Sequence, residues 1–105
     1  MPYTLYVIEL DREVFNIRRF REENPDHRPD KPCVYVGMTG RTAEQRFEQH
    51  KSGYKANRYA KKYGIRLRKR LYHRFQEIAT HAEALQAERS LAERLRKRGY
   101  AVWWG

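Results

Sequence analysis

Cysteine is almost absent from this sequence. Cys33 stands alone, so no disulfide can form within the chain, and without Cys/His ligand pairs no structural zinc site is expected. Missing too is any apolar run of membrane-spanning length, and the first residues lack the positively charged start of a secretory signal. Those absences set the cytoplasm, or its nucleoid, as the expected location. Negative charge is also scarce: Asp and Glu number 13 against 23 Lys and Arg, a formal charge of +10. Such an imbalance lowers stability by self-repulsion and points to a polyanionic partner, nucleic acid first and an acidic membrane surface second. Basicity that serves only solubility is the plainer alternative. At 105 residues the chain can bury one modest core and not two, so a single domain over 1–105 is expected.

What is present is organised around Cys33 to Gly53. Val34 and Val36 alternate with Tyr35 as in a strand, Gly37 to Gly40 turn the chain, and Thr42-Ala43-Glu44-Gln45 has the form of a helix capping box. Ser52-Gly53 ends that helix. At 100° per residue, Ala43, Arg46, Phe47 and His50 share one side of it. An apolar stripe that carries an arginine and a histidine is unusual for a helix that only packs. Cys33, at the start of a buried strand, reads as a small core residue.

Upstream, Tyr3 to Leu10 is rich in β-branched and aromatic residues and reads as a strand, with Thr4, Tyr6 and Ile8 on one face. Asp11 to Arg21 is spaced like a short helix capped by Asp11, and Asn24 to Pro32, with three prolines, like an irregular loop. If the two strands pair antiparallel, Tyr6 and Tyr35 can share a face, with Gly37 leaving space beside them. Downstream, Tyr54 to Gly64 has the spacing of a helix whose surface carries Lys55, Arg58, Lys61 and Lys62 and which Gly64 terminates. Ile65 to Leu67 suggests a short strand. Leu67, Leu71, Phe75 and Ile78 then step like a short helix. The last helix starts at a second capping box, Thr80 to Glu83, and stops at Gly99. Its apolar arc is Ala84, Leu85, Ala87, Leu91, Ala92 and Leu95, with Glu88 in the middle. The terminal YAVWWG can add a short strand.

A carboxylate on a buried face costs several kcal/mol unless it is compensated. Glu88 therefore reads in two ways: one half of a buried ion pair, with Arg46 or Arg98, or a ligand in a cleft. As a lone hard oxygen ligand it suits Mg²⁺ or Mn²⁺, which bind through one or two carboxylates plus substrate phosphate. Arg46 and His50 count for little singly. Together they can hold a phosphodiester and donate or relay a proton. A phenol of pKa ~10 is a poor base at neutral pH, so Tyr6 or Tyr35 could activate water only where a cation favours the phenolate.

A strand with Tyr6, then Tyr35-Val36-Gly37, Thr39, Arg46, His50 and a helical Glu88 within Ala84-Leu85-Gln86-Ala87-Glu88, taken in that order, resembles the GIY-YIG nuclease domain. The first motif is met by its tyrosine, as Thr4-Leu5-Tyr6, and the second as Tyr35-Val36-Gly37. The resemblance implies a small α/β sandwich whose central three-stranded antiparallel sheet is flanked by helices; residues 11–32 depart from the family pattern as a long insertion between the first two strands. It also implies hydrolysis of DNA phosphodiester bonds with one divalent ion, Mg²⁺ or Mn²⁺. Glu88 would bind the metal and Arg46 the scissile phosphate. Tyr6 would position the attacking water or take its proton, while Tyr35 and His50 support proton transfer. Gly37 and Thr39 would shape the site. Lys55, Arg58, Lys61 and Lys62 offer phosphate contacts that carry no sequence information. Strong specificity would then need a protein partner or an oligomer. RNA as the target, or a nucleic-acid-binding module of the same fold without catalysis, are the competing expectations.

Overall fold

The computed structural model describes residues 2–105. Strand β1 (Thr4–Leu10) pairs antiparallel with β2 (Cys33–Thr39), and directly opposed residues share a face, so Tyr6 meets Gly37 and Ile8 meets Tyr35. Both strands are central and covered on both sides, which is why each is a nearly unbroken buried run rather than an alternating one. Glu9, the half-buried acid in β1, is held by Arg68 at 3.0 Å and Arg66 at 3.7 Å.

The sheet has four strands, not the expected three, in the order β3-β1-β2-β4. Its antiparallel part is the expected one: β3 (Gly64–Leu67), β1 and β2. The fourth, β4 (Ala101–Trp104), runs parallel to β2 and pairs Tyr35 with Trp103. A parallel neighbour needs a crossover, and helix α4 (His81–Lys97), packed on β2 and β4, supplies its last leg. The apolar terminal run thus becomes the strand it could form.

Residues 11–32 hold two short turns of helix instead of one helix. Asp11 caps a 3₁₀ segment (Arg12–Asn16) by accepting from the Glu13 N–H at 2.9 Å, Ile17 is extended, and α1 (Arg18–Glu22) follows. Val14 and Phe20 are their buried anchors. Asn24 then faces the outer edge of β4. Its Oδ1 accepts from the Val102 N–H at 2.7 Å and its Nδ2 donates to the Val102 carbonyl at 3.1 Å, as a neighbouring strand would.

Helix α2 (Ala43–Ser52) forms as expected, with both capping-box bonds between Thr42 and Gln45 and left-handed Gly53 (φ 92°) at its end. Helix α3 is shorter than expected, Arg58–Tyr63, because the Asn57 side chain caps it by accepting from the Tyr59 and Ala60 N–H groups. Residues 53–55 form a turn in which Lys55 is left-handed (φ 45°), and 56–57 lead irregularly into α3. Gly64 has an extended backbone (φ −64°) and opens β3; glycine is needed there because a Cβ would collide with the Ala60 carbonyl oxygen. The stepped apolar residues after Leu67 do not make a helix beyond a 3₁₀ turn at Lys69–Leu71. The Phe75 carbonyl instead accepts from the Leu5 N–H at 2.9 Å, and Ile78 bridges Tyr3.

Thr80 caps α4 by accepting from the Glu83 N–H at 3.1 Å, but the Glu83 carboxylate accepts from the Thr80 hydroxyl rather than from its main-chain N–H, so only half the capping box forms. Left-handed Gly99 (φ 96°) follows its end. Ala84, Leu91, Ala92 and Leu95 are buried as expected, whereas Leu85 is 48 % exposed. Among the described residues no helix is long and apolar enough to cross a membrane.

Candidate active site

Four elements bring the expected set together. A cleft of about 620 Å³ is bordered by Tyr6 of β1, Tyr35 of β2, Arg46 and His50 of α2, and Glu88 of α4. The register explains the first pair. With Tyr6 opposite Gly37, the Tyr6 ring fills the space where a Cβ of residue 37 would stand, so the room expected beside Gly37 is taken by the phenol itself. The Tyr6 and Tyr35 ring centres are 6.3 Å apart.

His50 is fully buried. Its Nε2 is 2.8 Å from the Tyr6 hydroxyl, its Nδ1 accepts from the Asn57 main-chain N–H at 3.1 Å, and its ring meets that of Tyr35 edge-on at 5.4 Å. Burial, reinforced by the Arg46 charge, pushes its pKa down to about 4. Burial likewise pushes Tyr35 up to about 12, with the Glu88 carboxylate adding to the rise and Arg46 opposing it. Tyr6 is raised further, well beyond the ordinary phenol range; burial is the main cause, Tyr35 and Glu88 add to it, and Arg46 again opposes.

Arg46 is held from behind. Of the five N–H donors of a guanidinium, three are engaged, by Gln49 Oε1 at 3.2 Å and by the Tyr54 and Lys55 carbonyls at 3.2 and 2.8 Å. These carbonyls belong to the turn that replaces the expected start of α3. The guanidinium also lies within hydrogen-bonding reach of the Tyr6 hydroxyl, so it joins the phenol to any anion held in the cleft.

Glu88 is 5 % exposed and, among the described residues, forms neither an ion pair nor a hydrogen bond. The ion pair with Arg46 or Arg98, one of the two readings of Glu88, is not made; Arg98 lies over the Tyr100 ring, 5.7 Å from its centre. Burial alone raises the Glu88 pKa to about 7. Its carboxylate therefore stands in the cleft wall without a protein partner, whereas the Tyr35 hydroxyl is within hydrogen-bonding reach of Tyr6. Among the described residues no cluster of three or more His, Cys, Asp or Glu could hold a metal, so a cation here would rely on Glu88 together with water or substrate oxygens.

The remaining candidates divide. Lys55 and Arg58 border the cleft. Lys61 and Lys62 lie further along α3, Lys61 against Gly53 and Lys62 over the Tyr63 ring. Thr39 ends β2, and its hydroxyl accepts from the Arg41 N–H at 3.0 Å, which shapes the turn into α2 rather than the cleft wall. Two residues of the site were not among the sequence candidates. Asn57 joins α3 to His50. His81 borders the cleft and packs edge-on against Tyr3 at 5.6 Å. His81 was legible in principle, since it precedes Glu88 by two helical turns on the same face. Asn57 was not, because its contact runs through the main chain. A second hollow of about 640 Å³, beside Tyr3, Arg41 and Tyr72, contains none of the paired groups.

A family model described as the GIY-YIG catalytic domain matches residues 11–101, beginning just after β1. No curated protein and no solved structure matches the chain.

Proposed function

The chain belongs to the GIY-YIG family, a family of nucleases, and from that premise we propose that it is an endonuclease that hydrolyses phosphodiester bonds of DNA with a divalent cation, Mg²⁺ or Mn²⁺. The observation that carries the reading is Glu88: an acid buried without any compensating cation, in the same cleft as two phenols, an imidazole and a clamped guanidinium. Uncompensated burial costs stability in the free protein and favours whatever cation removes it. Glu88 would hold the metal, which when bound supplies Lewis-acid stabilisation of charge on the phosphate oxygens.

The protein's own groups account for the rest. Arg46, its geometry fixed by three carbonyl or amide oxygens, presents its remaining donor edge, beside the Tyr6 hydroxyl, to the non-bridging oxygens of the scissile phosphate. Tyr6 and Tyr35 flank the place where water must stand. The water oxygen forms the new bond to phosphorus, the bridging P–O bond breaks, and the products are one phosphate monoester and one alcohol. Lys55 and Arg58 extend the positive wall along the neighbouring phosphates, and so favour a duplex without reading its bases.

The test is nicking of supercoiled plasmid and of branched duplexes in Mg²⁺ or Mn²⁺, with Glu88→Ala alongside. Cleavage by the wild type and a loss of at least roughly a hundredfold in the variant is expected. Equal nicking by both proteins would remove the enzyme reading. Salt-sensitive binding without cleavage would leave a nucleic-acid-binding module, and stronger competition by structured RNA than by duplex DNA would change the substrate.

A further inference from the structure

We infer that His50 is a fixed hydrogen-bond donor to the Tyr6 oxygen, locked in that role by the main-chain N–H of Asn57, and that it never receives the Tyr6 proton. The inference deepens the nuclease reading and rests on it for its catalytic consequence, although the hydrogen-bond direction does not.

An N–H group aimed at a ring nitrogen needs a lone pair there, and the Asn57 N–H is 3.1 Å from His50 Nδ1. Nδ1 therefore carries no proton. That excludes the imidazolium, and it places the single ring proton of the neutral form on Nε2. Nε2 is the atom 2.8 Å from the Tyr6 hydroxyl, so the N–H donates and the phenol oxygen accepts. The depressed His50 pKa of about 4 agrees, since it keeps the ring neutral through the physiological range.

The lock is mechanically secure. Asn57 cannot rotate its N–H away, because its own side chain caps α3 through Tyr59 and Ala60 and its carbonyl accepts from the Lys61 N–H at 2.9 Å. His50 cannot turn away either, being fully buried with Tyr35 edge-on beside it. The phenol ring in turn lies in the space left by Gly37. Asn57, His50, Tyr6 and Gly37 therefore form one rigid chain from the start of α3 to the sheet.

Two consequences follow for proton traffic. With its lone pair absent, Nε2 cannot act as a base toward Tyr6, so the Tyr6 hydroxyl proton is directed away from His50, toward the Tyr35 hydroxyl and the open cleft, and its acceptor is water there. As the Tyr6 oxygen accepts a proton from the attacking water, its own proton passes to a second water in the cleft, and the charge that develops on the oxygen is stabilised by the His50 N–H and the Arg46 charge. Such a donor acts on the oxygen where charge develops, the kind of contact whose loss typically costs about 10²–10³ in rate. His50 is thus a positioning residue that acts through Tyr6.

Two measurements test this. Long-range ¹H–¹⁵N spectra of the ¹⁵N-labelled protein at pH 7, with the His50 signals assigned by their disappearance in His50→Gln, should show a protonated Nε2 and a bare Nδ1. A proton on Nδ1, or an imidazolium, overturns the inference. Plasmid nicking by His50→Gln and His50→Glu is the second. Glutamine keeps an N–H donor near the Nε2 position and should retain activity within roughly tenfold, whereas glutamate offers only acceptors and should lose about a hundredfold or more. The reverse order, or an equal loss in both, overturns it. If the wild type does not cleave at all, the nuclease reading fails while the spectra still decide the hydrogen-bond direction.

Discussion

Glu88 is ionised in the unfolded chain at neutral pH and only partly ionised in the folded one, because burial lifts its pKa from the ordinary carboxylate value of 4.5 to about 7. The sign of the linkage follows. A carboxyl whose folded pKa is raised binds its proton more tightly when folded, so stability falls as pH rises from about 4.5 to 7, and the full penalty is present above 7. His50 acts oppositely. Its folded pKa is depressed to about 4, so its contribution is present above about 6.5 and is lost as pH falls toward 4. Comparing wild type with Glu88→Gln isolates the carboxyl. The variant should be the more stable at pH 8 without divalent ions, by on the order of 2–3 kcal/mol, with the difference vanishing near pH 4. Urea denaturation at the two pH values checks this. A constant difference across the range would mean that the acid is compensated in solution.

At the level of elements, residues 11–32 look like an interruption between the central strands, yet they close the sheet. β4 is an edge strand whose outer N–H and C=O groups would otherwise be open to pairing with another chain. Asn24 serves both polar groups of Val102, and Arg96 adds a bond to the same carbonyl at 2.8 Å while donating to Asn24 Oδ1 at 3.0 Å. Removing the Asn24 amide leaves the buried Val102 N–H without a partner and also strips one contact from Arg96. Asn24→Ala should therefore cost about 1–3 kcal/mol in urea denaturation and leave the activity of the folded fraction unchanged, because no cleft residue touches it. A stability equal to the wild type would show that water replaces the amide at this edge.

Across the whole molecule, the excess of 23 basic over 13 acidic residues is not evenly useful. Lys55 and Arg58 border the cleft beside Arg46, whereas Lys61 and Lys62 lie away from it on α3. Each phosphate neutralised contributes about 0.9 to the slope of log affinity against log salt on duplex DNA. Lys55→Ala with Arg58→Ala should lower that slope by up to about two units, and Lys61→Ala with Lys62→Ala by less. Fluorescence anisotropy titrations at several salt concentrations measure both. A larger change for the second pair would move the duplex path off the cleft and onto the far side of α3.

Local chemistry made much of this protein legible from its sequence. The strand and capping box around Cys33 to Gln45 and the stop at Gly53 follow from periodicity and end signals, which act over a few residues, whereas the candidates Tyr6, Tyr35, Arg46, His50 and Glu88 come from the order of motifs that the family resemblance supplies. Other features depend on partners distant in the chain. Tyr54 to Ala56 have helical spacing, yet the carbonyls of Tyr54 and Lys55 turn to Arg46, and the Asn57 side chain starts the helix later. Phe75 and Ile78 have helical spacing too, but their backbone groups bond to Leu5 and Tyr3. Whether Glu88 was an ion-pair partner or a cleft acid could not be decided from sequence, because either environment needs the same residue on the same helix face. Only the packing of α4 against the sheet, which leaves the carboxylate with no cation among the described residues, decided it, since the cost of burying a charge depends on what stands within a few ångströms and not on its neighbours along the chain.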